Sequence, residues 1–326
     1  MRRFVLLLIC STLICCQENS KIETVENSET ESAGIRIEPA TSTSLIVLGI
    51  GQDAGIPQAG SQRPNAAEKF LNPDPLDAVV ALGLIDAQNQ QSYLFEATPD
   101  LPKQLYWLQQ ATPGNPVFPS GIFLTHAHIG HYTGLMYLGK ESASTQGIAT
   151  YTMPKMAGFL KTNGPWDALV SNGNIVLKPL DSTTVQLAKD LSVTALKVPH
   201  RDEYSETVGY HIQGPNKSAL FIPDIDKWHL WEESIVEWVK RVDYAFLDAT
   251  FFSGDELGGR DMSQIPHPSV QESMELFKGL NETDKQKVYF IHLNHTNPLL
   301  DENSAQTKEV LRKGFNIARP LQKFAM

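Results

Sequence analysis

Apolar runs of strand length in this sequence end, again and again, on histidine or aspartate. GIFLTH closes on His126, LSVTALKVPH on His200 and SALFIPD on Asp224, while DYAFLD closes on Asp248 and KVYFIHLNHT runs into His292 and His295. Short runs rich in β-branched and aromatic residues read as buried strands. Between them, LPKQLYWLQQ and PKMAGFLKTN carry apolar residues at helical spacing, IGHYTGLMYLG opens a helix, and WHLWEESIVEWVKRV reads as an amphipathic helix. Strands alternating with helices, with polar residues gathered at strand ends, fit a layered α/β sandwich whose edge loops supply ligands. The fold should begin at LIVLGI, residues 45–50. No linker rich in proline and glycine divides residues 43–326, which predicts one domain. FFSGDELGGRDMSQIPHPSVQESME, residues 251–275, reads as an insertion loop beside the active site.

The stretch LTHAHIGHYTG gathers His126, His128 and His131 in a chain that holds nine histidines. Alternate residues of an extended segment share a side, so HAH presents two imidazoles together. His131 rejoins them only if the chain turns at Ile129-Gly130, a turn glycine would permit. Converging imidazoles are metal-ligand chemistry, most naturally for zinc. As mere core packing, each would need its own hydrogen-bond partner.

THAHIGHYTG resembles the HxHxDH signature of the metallo-β-lactamase family. VLGIGQDAGIPQ, FEATPD, VPH, PDID, LDATFF and HLNHTNPLL follow in family order, so the chain resembles the branch that contains pyrroloquinoline quinone biosynthesis protein B. The resemblance implies a four-layer αββα sandwich. It also implies a first metal site of His126, His128 and His200, with Asp224 between two metals and His131 facing the second. The partner of His131 is His292 or His295. His295 is preferred, because it lies past the strand end beside an Asn-Thr-Asn-Pro turn, while His292 reads as still within the strand.

Gly130 stands where the signature has an aspartate. A second site without that carboxylate is expected to be weak or empty. Asp53, in the loop after the first strand, is the candidate replacement; an Asx-turn in GQDAG is the other reading. Asp248, Asp100 and His292 are candidates for the layer behind the ligands, where hydrogen bonds orient them. Asp100 could equally cap the helix that follows it, and Asp248 could cap a turn. His267, in the insertion loop, is either an acid that meets substrate or a surface histidine. LGIGQDAG faintly suggests a dinucleotide loop, but no helix opens after it.

Bound zinc would activate a water for attack on an ester, phosphoester or amide. No thiol or G-x-S-x-G elbow competes as nucleophile. Asp224, with Asp53 as a second candidate, would orient the water. Iron or manganese is the alternative metal, and iron would allow oxygen chemistry on a quinone or tyrosine-derived precursor. A non-catalytic, metal-binding surface protein is the third reading. The expected partner is a small-molecule substrate. A formal charge of −10 argues against nucleic acid.

The start differs from the body. MRRFVLLLICSTLICC is too short for the ~20 residues of a spanning helix, and polar residues follow at once. It resembles a bacterial lipoprotein signal, residues 1–16, with Cys16 lipidated. Residues 17–42 read as a polar tether that holds an exported domain off its membrane. The three cysteines, Cys10, Cys15 and Cys16, all lie in this segment, so the body contains no disulfide or thiolate ligand.

Overall fold

The computed structural model describes residues 35–180, 184–258 and 261–326. Cys16, the signal segment and most of the expected tether lie outside the described residues. A compact unit runs from Ile37 to Met326. It begins a little before residue 43 because the chain is already anchored there: Ala40 is buried and its N–H donates to Ala111 O at 2.8 Å. No helix among the described residues is long and apolar enough to cross a membrane.

Among the described residues, two seven-stranded sheets form the centre. The first contains β1 (Ser44–Gly49), β2 (Ala81–Asp86), β3 (Gln91–Phe95), β4 (Gly121–Phe123), β5 (Ile148–Thr152) and β6 (Ile175–Pro179). The second contains β7 (Thr184–Ala188), β8 (Leu191–Lys197), β9 (Val208–Gln213), β10 (Ser218–Ile222), β11 (Tyr244–Asp248), β12 (Val288–Ile291) and β13 (Asn316–Ile317). The last strand, β14 (Lys323–Ala325), returns to the first sheet and pairs with β1. In each sheet an antiparallel meander gives way to parallel strands, from β3 through β6 and from β10 through β13.

That pairing pattern sets where the polar residues emerge. Two antiparallel steps restore direction, so β1, β3 and β4 all end at one edge of the first sheet. By the same count β8, β10, β11 and β12 end at one edge of the second. The two edges meet: Gln52 N–H donates to Leu293 O at 2.8 Å, and Leu293 N–H to Ile50 O at 2.7 Å. Every histidine and aspartate that closes an apolar run is therefore delivered to one rim.

β1 shows why both faces of the sheet are apolar. Leu45 and Val47 join the core between the sheets, whereas Ile46 and Leu48 pack outward with Leu101 and Leu108 of the helix Leu101–Ala111. The inner seam is aromatic. Phe95 and Phe123 stack at 5.1 Å between ring centres and meet Tyr210 of the facing sheet at 5.3 and 5.6 Å. Outside the second sheet, Val239, Met274 and Val310 bring three further helices onto it. The result is the expected αββα sandwich.

Two local expectations are corrected. WHLW is a 3-10 turn rather than the start of a helix, because Trp228 Nε1 is tied to Ser273 Oγ and Trp231 Nε1 to Lys197 O. The helix starts at Ile235, where Ser234 caps it by accepting from Glu237 N. Within 251–275, the loop gives way to a helix at Val270–Leu276, stopped at its start by a Ser269/Glu272 capping box.

Candidate metal centre

After β4 the chain leaves the sheet at Leu124, so HAH is not strand but the approach to a helical turn, Ile129–Tyr132. That turn swings His131 back beside His126, with ring centres 4.4 Å apart. Gly130 is therefore helical, and its role differs from the expected one of permitting an unusual backbone angle. A Cβ on it would lie 2.0 Å from Asp53 Cβ and 2.3 Å from Asp53 Cα. Glycine is required here because another loop occupies the space.

The ligand-type atoms of His126, His128 and His200 lie within 4.8 Å of one another; so do those of His126, His131 and Asp224, and those of Asp53, His131 and His292. Asp224 sits at the junction. Its Oδ2 is 2.9 Å from His131 Nε2, 3.4 Å from His292 Nε2 and 3.7 Å from His126 Nε2. Its Oδ1 is 3.8 Å from His200 Nε2 and 3.5 Å from His267 Nδ1.

His295 does not join this group. It stands in the following loop with Nδ1 3.4 Å from Ser61 Oγ. His292 occupies the place expected for it, so the structure corrects that preference. The reason is backbone geometry: β12 stops at Ile291, and His292 adopts φ +65°, a left-handed conformation rare for a residue with a side chain. This turns its imidazole out of the strand and onto Asp224.

Behind these residues lies a layer of hydrogen-bonding groups. His200 Nδ1 is 3.0 Å from Asp226 Oδ1, His126 Nδ1 is 2.8 Å from Thr125 Oγ1 and His292 Nδ1 is 2.8 Å from Thr250 Oγ1. Asp248 stands where it can orient others, 2.8 Å from His267 Nδ1. Asp100 does not contribute: it holds the Val79 N–H and pairs with Lys103 at the start of its helix, so its contacts are structural. Glu96 was missed by the sequence reading. It is fully buried, with Oε1 3.4 Å from His131 Nδ1, and φ +78° places it there. Its only sequence signal was an acid in the apolar run LFEAT.

Charge in the centre is strongly coupled. Burial would raise the Asp224 carboxyl, but the surrounding His292, His131 and His126 hold it well below its usual range. Burial opposes charge on His131, yet Glu96 and Asp224 keep its proton well above the ordinary imidazole value. His126 is pushed well below that value by burial and by His131, and His128 falls to about 4 through burial, His200 and Arg201. Burial also lowers His292. Burial opposes charge on His267, but Asp248, Asp224 and Asp53 together raise it.

The residues fit a bound cation. His200 Nε2 and His292 Nε2 are buried with no hydrogen-bond partner among the described residues, and His131 Nε2 meets Asp224 Oδ2 at 2.9 Å. Unsatisfied buried polar atoms are costly. Imidazole nitrogens and a carboxylate, each steadied from behind, are a ligand set for zinc or a similar divalent metal.

The sequence matches the beta-lactamase superfamily domain over residues 91–293. Coenzyme PQQ synthesis protein B of Gluconobacter oxydans is 26% identical over 298 residues, covering 84% of this chain and 95% of that protein. Zn2+-bound PqqB from Methylobacterium extorquens has a similar structure, with a TM-score of 0.70 at 19% identity, over 87% of this chain and all of that one. A diphosphatase of the PhnP family gives 0.62 at 18% identity, over 86% and 96%. The chain thus belongs to the beta-lactamase superfamily, has the metallo-β-lactamase fold, and is similar to the branch of coenzyme PQQ synthesis protein B.

Proposed function

We propose that the protein is a metal-dependent hydrolase acting on an ester, phosphoester or amide, with zinc as its metal. The observation that carries this reading is the set of imidazole nitrogens converging on Asp224, of which His200 Nε2 and His292 Nε2 are buried with no hydrogen-bond partner among the described residues. A bound zinc would lower the pKa of a water toward ~7 and polarise the substrate oxygen. His126, His128 and His200 would hold one ion, and Asp224 would face both clusters. His267 keeps Nδ1 on Asp248, which leaves Nε2 to carry a proton to the leaving group. The PhnP-family neighbour, a diphosphatase, favours a phosphoester within that range.

Similarity to coenzyme PQQ synthesis protein B favours a second reading, iron-dependent oxidation of a quinone or tyrosine-derived precursor. Metal analysis of protein purified without added metal separates the two. Zinc, with turnover on an ester and phosphodiester panel that chelation abolishes, supports hydrolysis. Iron overturns it in favour of the second reading, and zinc without turnover leaves a binding protein.

We also propose export and anchoring through Cys16, on the sequence pattern alone. Cys16→Ser should then move the protein to the soluble fraction with its metal content unchanged; continued pelleting with membranes would refute the anchor.

A further inference from the structure

We propose that Asp53 supplies, from the loop after β1, the carboxylate that the histidine motif lacks at Gly130. This rests on the metal-dependent reading above and concerns only the second cluster.

The two positions are spatially exclusive. A Cβ at residue 130 would fall 2.0 Å from Asp53 Cβ, 2.3 Å from Asp53 Cα and 2.8 Å from Asp53 O. Backbone atoms are among those it would strike, so no side-chain rearrangement clears the way. An aspartate at 130 and the present loop path cannot coexist. Where the motif would place an acid, the chain instead removes the side chain and lets the backbone of another acid pass. The ligand-type atoms of Asp53, His131 and His292 fall within 4.8 Å of one another.

Asp53 is also held in place. The side-chain amide of Gln52 donates to Asp53 Oδ1, and Asn294 Nδ2 donates to Gln52 Oε1 at 3.2 Å. Gln52 N–H reaches Leu293 O at 2.8 Å. Asp53 is thus tied to the segment that carries His292, its partner in the cluster. The orientation of Asp53 depends on that of His292 through three neighbouring residues, Gln52, Leu293 and Asn294. An ordinary Asx-turn would account for neither the missing side chain at 130 nor this link.

The consequence is a second cluster with its anionic ligand restored, able to hold an ion despite Gly130. Metal-free full-length protein would be titrated with zinc against a chromophoric chelator, and bound ions counted by elemental analysis. Wild type should take two ions. Asp53→Asn should bind the first as wild type does and the second more than about tenfold more weakly, since losing even a ligand's supporting partner costs 10–100-fold. Gly130→Ala should weaken the same ion, because its Cβ displaces Asp53. Unchanged affinity for the first ion shows in the same sample that each variant is folded. Wild-type affinity for the second ion in either variant overturns the proposal. So does a wild-type protein that takes one ion only, an outcome that leaves the hydrolase reading intact. A protein that takes no zinc at all removes both.

Discussion

Thr250 Oγ1 lies 2.8 Å from His292 Nδ1 and 2.8 Å from Asp248 Oδ1. A hydroxyl has one hydrogen, and the carboxylate can only accept it. Thr250 must therefore accept from His292, which assigns the proton to Nδ1 and a lone pair to Nε2. That lone pair faces Asp224 Oδ2 at 3.4 Å, a juxtaposition of two electron-rich atoms that a cation between them would relieve.

Thr250→Val should keep the volume and remove the hydrogen bond. His292 then loses its fixed tautomer, and affinity for the ion at His131 and His292 should fall about 10- to 100-fold. Thr250→Ser should restore it. Zinc titration of both variants checks this, and equal affinities would refute the orienting role.

His292→Ala should abolish binding of that ion, while His295→Ala should leave both ions in place. Because bound metal stabilises the folded state, an ion at 100 times its Kd adds about 2.7 kcal/mol. The melting temperature of His292→Ala should thus respond less to zinc than that of wild type. A zinc response lost in His295→Ala and kept in His292→Ala would reverse the assignment.

His267→Asn should lower turnover by about 10²- to 10⁴-fold, the range for a lost proton donor. Its metal content should stay at the wild-type level. Loss of an ion instead would make His267 a ligand.

Proton release should distinguish the two clusters. Burial and neighbouring histidines hold His128 down to about 4 and His126 well below its usual value, so at pH 7 both are already proton-free. His131 is the opposite case, with its proton held by Glu96 and Asp224. An ion there must displace that proton, so its binding tightens as pH rises and is lost first as pH falls. Calorimetry in two buffers of different ionisation enthalpy should find about one more proton released by that ion than by the ion at His126 and His128. Equal release would contradict the assignment.

The sequence exposed the parts of this centre that depend on local pattern. Strand-length runs ending in His126, His200 and Asp224 were readable because an apolar segment and its polar stop are adjacent in the chain. His292 was misjudged because its outward turn depends on one backbone angle, φ +65°, that no neighbouring residue announces. The purpose of Gly130 was hidden for another reason: the atoms that exclude a side chain there belong to Asp53, far away in sequence. Glu96 stands in the apolar run LFEAT, and only the assembled sandwich brings it to His131. Pairing of Lys323–Ala325 with β1 joins opposite ends of the body and has no local signature at all.

The aromatic seam is also the plane along which the two sheets would separate. His126, His128, His131 and Asp53 hang from one side of it, and His200, Asp224, His267 and His292 from the other. An ion shared between these groups would rivet the layers at their rim, and it would have to be released before the sandwich could gape. Its presence would then govern how slowly the protein opens. Resistance to proteases would follow metal supply, and a chain starved of metal would be cleared before it was merely inactive.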